Sequence, residues 1–181
     1  MSAVAQEVAT PIKLDVGCGT RKKEGHVGID IMAFDGVDVV LDVGKDRWPY
    51  DDCSVTEIHA SHFIEHLGAD ERVHFVNEAW RVLVPGGKVI AVTPHWASQR
   101  AYGDLTHKWP PVAEMWFYYL DKNWRKTEAP HNDKYTCDFN CVWGYATNPA
   151  LAIRHAEYQQ HAMAYYKEAI LDMHCTMTAR K

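Results

Sequence analysis

Two glycines stand two positions apart after a short apolar run near the start of the chain. The run from Ile12 to Val16 ends in Gly17-Cys18-Gly19, as a buried parallel strand does where it enters a turn. Glycines at such a turn let the backbone approach a ligand closely. A turn that ends a strand also needs glycine for steric reasons, so this motif alone indicates either a binding loop or a plain turn.

Aspartates mark the ends of three successive apolar runs. Asp15 lies in the first run, Asp30 in the run from His26 to Ile31, and Asp42 in the run from Val37 to Val43. A carboxylate at the second strand end can accept hydrogen bonds from both hydroxyls of a ribose, and one at the third from an adenine amino group. Three acidic strand ends in order therefore favour a nucleoside-containing ligand.

Side chains that can bind or deprotonate a substrate cluster after the expected fifth strand, Lys88 to Thr93. They are His95, Trp96, Tyr102, Asp104 and His107. Ligands of open α/β sheets bind at this carboxyl edge. We expect His107 to act as general base with His95 beside it, and Asp104, three residues before His107, to orient one of the rings. The alternative for each histidine is a hydrogen-bonded structural imidazole.

Three further residues are expected on the substrate side. Glu65 and His66 follow the fourth expected strand, where they either contact substrate or form the capped start of a helix. Trp109 begins a stripe of aromatic residues that extends to Trp124. Such a stripe more often packs a lid or a core than it binds a cation, although a planar or cationic substrate remains an alternative. Trp96, Tyr102 and Trp109 are included among the expected substrate contacts.

Eleven histidines and five cysteines raise the question of a metal site. His62 and His66 are four residues apart on one helix face, but the glutamate stands directly before His66 and does not form the H-E-x-x-H arrangement. Cys137 and Cys141 lie on one expected strand at roughly 3.3 Å per residue, about 13 Å apart and too far to bind one zinc ion together. The sequence alone therefore predicts no metal.

The elements that must position these residues alternate between strand and helix. Thr56 to Ser61 is a fourth strand, and a helix from Ala69 carries apolar residues at helical spacing before Pro85-Gly86-Gly87 ends it. Residues 96–134 lack a clear period and form a lid or substrate insertion. Residues 135–181 form a strand from Tyr135 to Trp143, a helix from Pro149 to about Lys167 capped by Asn148, and a last strand.

This order predicts an α/β fold: a Rossmann-like mixed sheet, mostly parallel, with antiparallel C-terminal strands, flanked by helices. With 181 residues, 47% hydrophobic and 24% charged, we expect a single globular domain, residues 1–181, whose cofactor-binding core spans 12–95. The net charge of −5 makes a nucleic-acid partner unlikely. We expect no membrane segment, reduced thiols, a cytoplasmic location and a monomer or homodimer.

Several of these segments together resemble a known family. They are Leu14 to Thr20, Gly28-Ile29-Asp30, Leu41-Asp42-Val43, Trp48-Pro49-Tyr50, His62 to Leu67 and Arg81 to Pro94. The pattern, over about residues 12 to 95, resembles class I S-adenosylmethionine-dependent methyltransferases, most of all the compact branch called methyltransferase type 11-like. Pro94-His95 and Gly103 to His107 also resemble a stretch that follows the fifth strand in this branch.

The resemblance implies S-adenosyl-L-methionine as cofactor. It implies that the glycine turn wraps the methionine part, that Asp30 holds the ribose, and that Asp42 and the following backbone N–H read the adenine. Trp48 would lie near the adenine, with a core position as the alternative. The full set of expected cofactor contacts is Asp15, Gly17, Cys18, Gly19, Asp30, Ile31, Asp42, Val43, Trp48, Ser61 and His62.

The chain departs from the family pattern in its first helix. Ten residues separate Gly19 from Asp30, whereas about 20 usually separate the glycine loop from the acid. The first helix must therefore be shortened to a loop, Arg21 to Gly25. Without its dipole, Arg21 or Lys22 would supply positive charge to the carboxylate of the cofactor. The fourth strand also carries Glu57 where an aspartate is common.

The sequence thus predicts methyl transfer from S-adenosylmethionine to an oxygen or nitrogen of a small molecule or exposed polar acceptor. A catalytically silent cofactor-binding or interaction module is the alternative. A nicotinamide-dependent oxidoreductase is less favoured, because its fingerprint requires a third glycine where this chain has Lys22. The N/D-P-P-Y/F signature of DNA adenine methylases does not follow Ser61, so DNA amines are a poor substrate prediction.

Overall fold

The computed structural model describes residues 11–181 and contains one seven-stranded sheet. The strands are β1 Ile12–Val16, β2 Val27–Asp30, β3 Val39–Val40, β4 Val55–Ser61, β5 Leu83–Pro94, β6 Phe139–Thr147 and β7 Ile170–Ala179. Their order across the sheet is β3-β2-β1-β4-β5-β7-β6. The expected Rossmann-like fold is confirmed.

The first five strands are parallel, and β7 runs antiparallel between β5 and β6. The chain builds outward from β1 to β3, then returns to lay β4 and β5 on the other side of β1. The strand order therefore reverses between β1 and β4. In open α/β sheets, ligands bind outside the carboxyl ends of the strands at this point.

Five helices accompany the sheet: α1 Ala69–Val82, α2 Arg100–Gly103, α3 Glu114–Tyr118, α4 Lys122–Glu128 and α5 Ala156–Tyr165. Two 3₁₀ turns, Ile64–His66 and Pro149–Leu151, complete the elements. No helix separates β1 from β2, so the loop expected from the short spacing is confirmed. Within the described residues, none of these helices combines the length and apolar character that a membrane span requires.

The face of helix α1 that packs on the sheet overlaps in part with the one its sequence pattern indicated, since Val76 is buried as expected. Phe75, Val76, Ala79 and Val82 are buried, and Trp80 is only partly buried, with its indole N–H donating to the Arg180 carbonyl at 2.9 Å. At the N-terminus, the Glu71 carboxylate accepts the N–H of Gly68 at 2.7 Å. The helix ends at Val82, and β5 begins at Leu83, five residues before the start expected for this strand at Lys88.

The C-terminal elements are present with shifted bounds. The strand expected at Tyr135–Trp143 is β6, Phe139–Thr147, because β7 pairs with those residues. Cys137 lies before the strand, and its carbonyl accepts from the Arg125 guanidinium at 2.6 Å. Asn148 accepts from the Ala150 N–H at 3.0 Å, but it caps only the 3₁₀ turn, and α5 begins later.

The helix predicted from Pro149 to Lys167 is therefore wrong in its first turns. Ile153 is 85% exposed, and residues 152–155 are all exposed. Because most helical stability comes from packing an apolar face, this stretch has nothing to hold it in a helix. The apolar core lies instead around the sheet, with Leu14, Ile29, Ile58 and Val89 fully buried.

Candidate active site

A cavity of about 490 Å³ opens at the carboxyl ends of β1, β2 and β3. We refer to it as the first cavity. Its walls are Gly17, Ile29, Asp30, Ile31, Leu41, Asp42, Val43, Lys45, His62, Phe63, His66, Leu67, Glu71 and Lys108. The acidic strand ends and the glycine turn, which are distant in sequence, thus converge on one space beside the switch in strand order.

The glycine turn forms the floor of the first cavity. Gly17 has a φ of +65°, and a side chain there would collide with the Phe63 ring. Its N–H donates to the Ile29 carbonyl at 2.8 Å, which ties the turn to β2. Glycine is therefore required at position 17 by backbone conformation and by close approach, and the backbone is left open to a ligand.

Asp30 and Asp42 are held in place while facing the first cavity. The Asp30 carboxylate accepts the Gly19 N–H at 2.9 Å and the Met32 N–H at 3.0 Å, one on each oxygen. Asp42 accepts from the Gly44 N–H at 3.1 Å and from Lys45 Nζ at 3.0 Å. Each carboxylate oxygen has further lone pairs and can accept another hydrogen bond.

Five expected cofactor residues do not line the first cavity: Asp15, Cys18, Gly19, Trp48 and Ser61. Asp15 is buried behind the turn, where His59 Nδ1 lies 2.8 Å from one oxygen and the Lys23 N–H donates to the other at 2.8 Å. Trp48 is 1% exposed and donates its indole N–H to the Val43 carbonyl at 3.1 Å. Trp48 therefore packs in the core, which was the alternative to a place near the adenine.

The loop that replaces the first helix is fixed by charged side chains. Lys22 Nζ lies 2.8 Å from Asp38, and the Asp15 bond described above holds the loop against β1. Lys22 is thus paired away from the first cavity, contrary to the role expected for it. Positive charge in the cavity comes instead from Lys45 and Lys108, and no motif in the sequence indicated either lysine.

A second cavity of about 580 Å³ lies beside the first, at the carboxyl ends of β4 and β5. Its walls are His62, Glu65, His66, Pro94, Gln99, Arg100, Gly103, Asp104 and His107. His62 and His66 line both cavities. Molecules bound in the two cavities would therefore meet at these two histidines.

His62 has a left-handed backbone conformation at the end of β4. Its φ is +50°, which is uncommon for a residue with a side chain, and its N–H donates to the Val92 carbonyl of β5 at 2.8 Å. The ring Nδ1 lies 3.3 Å from Glu65 Oε1. The Glu65 carboxylate raises the pKa of His62, against the opposite effect of burial.

His66 and His107 face each other in the second cavity, with ring centroids 4.7 Å apart. His66 Nδ1 lies 3.0 Å from Thr106 Oγ1, which in turn donates to Asp104 at 2.7 Å. His107 Nδ1 lies 3.3 Å from the Ala101 carbonyl, whereas its Nε2 is 3.9 Å from Asp104. Asp104 therefore orients His66 through Thr106 instead of holding His107.

His95 does not line the first or second cavity. It is 3% exposed, its Nε2 lies 2.9 Å from the Glu114 carboxylate, and its Nδ1 accepts the Ala97 N–H at 3.2 Å. Glu114 also accepts from Trp96 Nε1 at 3.1 Å and from the Tyr145 hydroxyl at 3.0 Å. Both ring nitrogens of His95 are occupied, so its geometry matches the structural alternative rather than a base.

The expected aromatic contacts also lie apart from the second cavity. Trp96 lines a separate depression with His95 and Glu114. Tyr102 and Trp109 line a smaller one on the outer side of the loop after α2, and Trp109 is 78% exposed. The sequence placed these three residues near the acceptor because they are close in the chain to Asp104 and His107.

Comparison with known proteins agrees with this geometry. Residues 14–91 match the family described as a methyltransferase domain. Over this segment, which is somewhat less than half of the chain, the sequence is similar to methyltransferase domains. No curated protein sequence matches it at a significant level.

Solved structures share its fold at low sequence identity. A SAM-dependent methyltransferase from Archaeoglobus fulgidus is 16% identical over 94% of this chain and 86% of its own, with a TM-score of 0.64. The [4+2]-cyclase SpnF is 16% identical over 94% and 75%, with a TM-score of 0.54. Phosphoethanolamine N-methyltransferase 2 of Haemonchus contortus, in complex with S-adenosyl-L-methionine, is 11% identical over 94% and 49%, with a TM-score of 0.51.

Proposed function

We propose that the chain transfers a methyl group from S-adenosylmethionine in the first cavity to an oxygen or nitrogen of a small polar acceptor in the second cavity. The observation that carries the proposal is the shared wall of His62 and His66. A donor and an acceptor bound on its two sides would be in contact. The size of the second cavity, about 580 Å³, is that of a small-molecule site.

The first cavity supports the cofactor half of this proposal. Asp30 would accept from the ribose hydroxyls and Asp42 from the adenine amino group, since both carboxylates face the cavity with free lone pairs. Ile31 and Val43 offer apolar surface to the adenine ring, and Gly17 leaves room for the methionine part.

Methyl transfer requires few catalytic groups in the second cavity. A lone pair of the acceptor forms the new bond to the methyl carbon, the carbon–sulfur electron pair returns to sulfur, and neutral S-adenosylhomocysteine leaves. An acceptor that carries a proton must also lose it. The main task of the protein is alignment of the two reactants.

The polar groups of the second cavity match a polar acceptor. Arg100 offers positive charge, Glu65 and Asp104 offer negative charge, and His66 and His107 offer imidazole nitrogens. Of the two expected bases, His107 is the one that faces the acceptor. We propose that residues 96–134 cover the acceptor, since Gln99, Arg100, Gly103, Asp104 and His107 belong to this segment and line the cavity.

The composition supports a cytoplasmic reaction on a small molecule. All five cysteines are free in the structure, as reducing conditions would leave them. The net charge of −5 disfavours a nucleic-acid acceptor.

The first experiment compares ligands and acceptors. Calorimetry should show binding of S-adenosylhomocysteine and none of NAD, and labelled S-adenosylmethionine should yield labelled product with one class in a panel of hydroxy, carboxy and amino compounds. Binding of S-adenosylhomocysteine without turnover of any acceptor would favour a silent cofactor-binding module. Binding of NAD alone would overturn the assignment of the cofactor.

A substitution that fills the second cavity tests the two-cavity arrangement. Gly103 lines that cavity, and no atom lies within 4 Å of the place where its Cβ would be. Gly103→Phe should lower turnover by about 100-fold or more, since misplaced reactants lose alignment, while S-adenosylhomocysteine affinity stays within threefold, roughly, of the parent.

The matched control for this variant is Gly144→Phe. Gly144 has equally open surroundings but lies on β6, away from both cavities. It should leave turnover and affinity near the parent values. Equal turnover in Gly103→Phe and Gly144→Phe would show that the acceptor binds elsewhere.

A further inference from the structure

Three potential metal ligands converge on the wall of the second cavity. One side-chain ligand atom from each of Glu65, His66 and His107 lies within 4.8 Å of the other two. Glu65 and His66 belong to the 3₁₀ turn after β4, and His107 to the loop after α2. The Lys108 N–H donates to the Glu65 carbonyl at 2.8 Å, so the backbones of the two segments are joined at this point.

Glu65 is buried without a hydrogen-bond partner for its carboxylate. The residue is 4% exposed, and among the described residues neither oxygen accepts a hydrogen bond. The nearby cations do not satisfy it: His62 makes only the 3.3 Å contact, and the Arg72 guanidinium donates to the carbonyls of Ile64, Pro110 and Lys108. Because a buried charge without partners is costly, this position favours a positively charged ligand.

The hydrogen bonds of the two histidines fix which nitrogens are available. A threonine hydroxyl has one hydrogen, and Thr106 gives it to Asp104. His66 must then donate its Nδ1–H to Thr106 Oγ1, and His107 donates its Nδ1–H to the Ala101 carbonyl. Both Nε2 atoms therefore carry a free lone pair, and both rings have the outer hydrogen bond that is usual for metal-binding histidines.

We propose that Glu65, His66 and His107 bind one divalent first-row transition metal ion, with zinc as the best match. Two imidazole nitrogens and one carboxylate oxygen form a ligand set that zinc uses in catalytic sites, which keep an open position. Ligand atoms at about 2.0–2.1 Å from a tetrahedral ion stand about 3.3 Å apart. The widest separation, up to 4.8 Å, must therefore shrink by about 1.5 Å, a change within reach of side-chain rotation.

The inference extends the proposed function, on which its catalytic part rests. The open position of the ion would face the second cavity and bind an oxygen or nitrogen of the acceptor. The ion would orient that atom and lower its pKa. His66 and His107 would then serve as ligands, and the proton that the metal-bound acceptor loses would pass to solvent water in the second cavity.

The test is metal binding by the full chain, prepared without a histidine tag and stripped of metal by a chelator. Zn²⁺ is titrated in competition with a chromophoric chelator against the parent and the variants Glu65→Gln, His66→Gln and His107→Gln. We expect one tight equivalent in the parent and about 100-fold weaker binding in each variant. His161→Gln is the matched control, because it removes a histidine of α5 that lines neither cavity, and it should bind as the parent does.

Two further measurements on the same samples distinguish loss of the metal site from unfolding and from loss of cofactor binding. Saturating Zn²⁺ should raise the Tm of the parent and of His161→Gln but not that of Glu65→Gln, and the metal-free Tm of Glu65→Gln shows whether that variant is folded. Calorimetry with S-adenosylhomocysteine reports on the first cavity alone.

The metal site is overturned if the parent binds no tight Zn²⁺ or if the three variants bind it as the parent does, even where cofactor binding and turnover persist. Turnover of an amine acceptor that depends on Glu65 but not on metal would overturn the catalytic part of the inference, and would assign Glu65 to a cationic substrate. Tight Zn²⁺ binding that requires the trio would support the site even if no acceptor is turned over, in which case only the proposed methyl transfer fails.

Discussion

Glu65 and Glu114 both lie beside histidines at the carboxyl edge of the sheet, yet their surroundings differ. Glu114 is bonded to His95, Trp96 and Tyr145, and the bond to His95 is the largest cause that lowers its pKa to about 2. Glu65 is more deeply buried and accepts no hydrogen bond. The Glu114 carboxylate thus makes structural hydrogen bonds, whereas the Glu65 carboxylate has lone pairs that a ligand could use.

The largest expected effect separates the two glutamates by activity. Glu65→Gln should lower kcat/KM by about 10²- to 10³-fold, because it removes the charge that faces the acceptor, and should leave S-adenosylhomocysteine affinity unchanged. Glu114→Gln should keep the turnover of folded protein within about threefold of the parent. Steady-state kinetics corrected for folded fraction measures both. Equal losses in the two variants would break the comparison.

Asp30 lies between the two glutamates in its hydrogen bonding. Each of its oxygens has one backbone partner, and the residue lines the first cavity. Asp30→Ala should weaken S-adenosylhomocysteine binding by about 2 to 4 kcal/mol, because hydrogen bonds to a charged acceptor are lost. Calorimetry measures the change. Asp38→Ala is the control, since Asp38 accepts the Gly28 N–H at 2.7 Å outside the cavity. Unchanged affinity in Asp30→Ala would remove Asp30 from the ribose site.

The smallest effect concerns stability and its pH dependence. Glu114→Gln should lower the free energy of unfolding by about 1 to 3 kcal/mol at pH 7. The pKa of Glu114 is lowered from 4.5 to about 2 in the fold, so its charged form stabilises the protein above about pH 4.5, and this contribution is lost as the pH falls toward 2.

Denaturant titrations at several pH values measure this difference. The gap between the parent and Glu114→Gln should be constant above about pH 5 and shrink below it. Glu65→Gln should not be destabilised at pH 7 when metal is absent, because it removes a buried charge that accepts no hydrogen bond. A gap for Glu114→Gln that does not change with pH would contradict the pKa assignment.

Local pattern was enough to predict the N-terminal half of the fold. Strand periodicity, the Gly17 turn and the acids Asp30 and Asp42 act over a few residues each, so the sequence located β1, β2, β4 and the first cavity. It was less reliable where packing decides the boundaries. Residues Tyr135 to Trp143 alternate like a strand, but only those from Phe139 onward pair with β7, so the strand starts there.

The fold class and the acids at the strand ends could be predicted from the sequence, because each follows from short-range patterns of burial, turns and charge, and the cofactor was implied by the family resemblance. Which residues come together around the second cavity depends instead on tertiary contacts. The tertiary structure paired His95 with Glu114, moved Trp48 into the core, and brought His107 to Glu65 and His66 across some forty residues of chain. The physical reason is that a hydrogen-bond partner or a shared ligand site depends on which segments the sheet places side by side, and no local pattern records that choice.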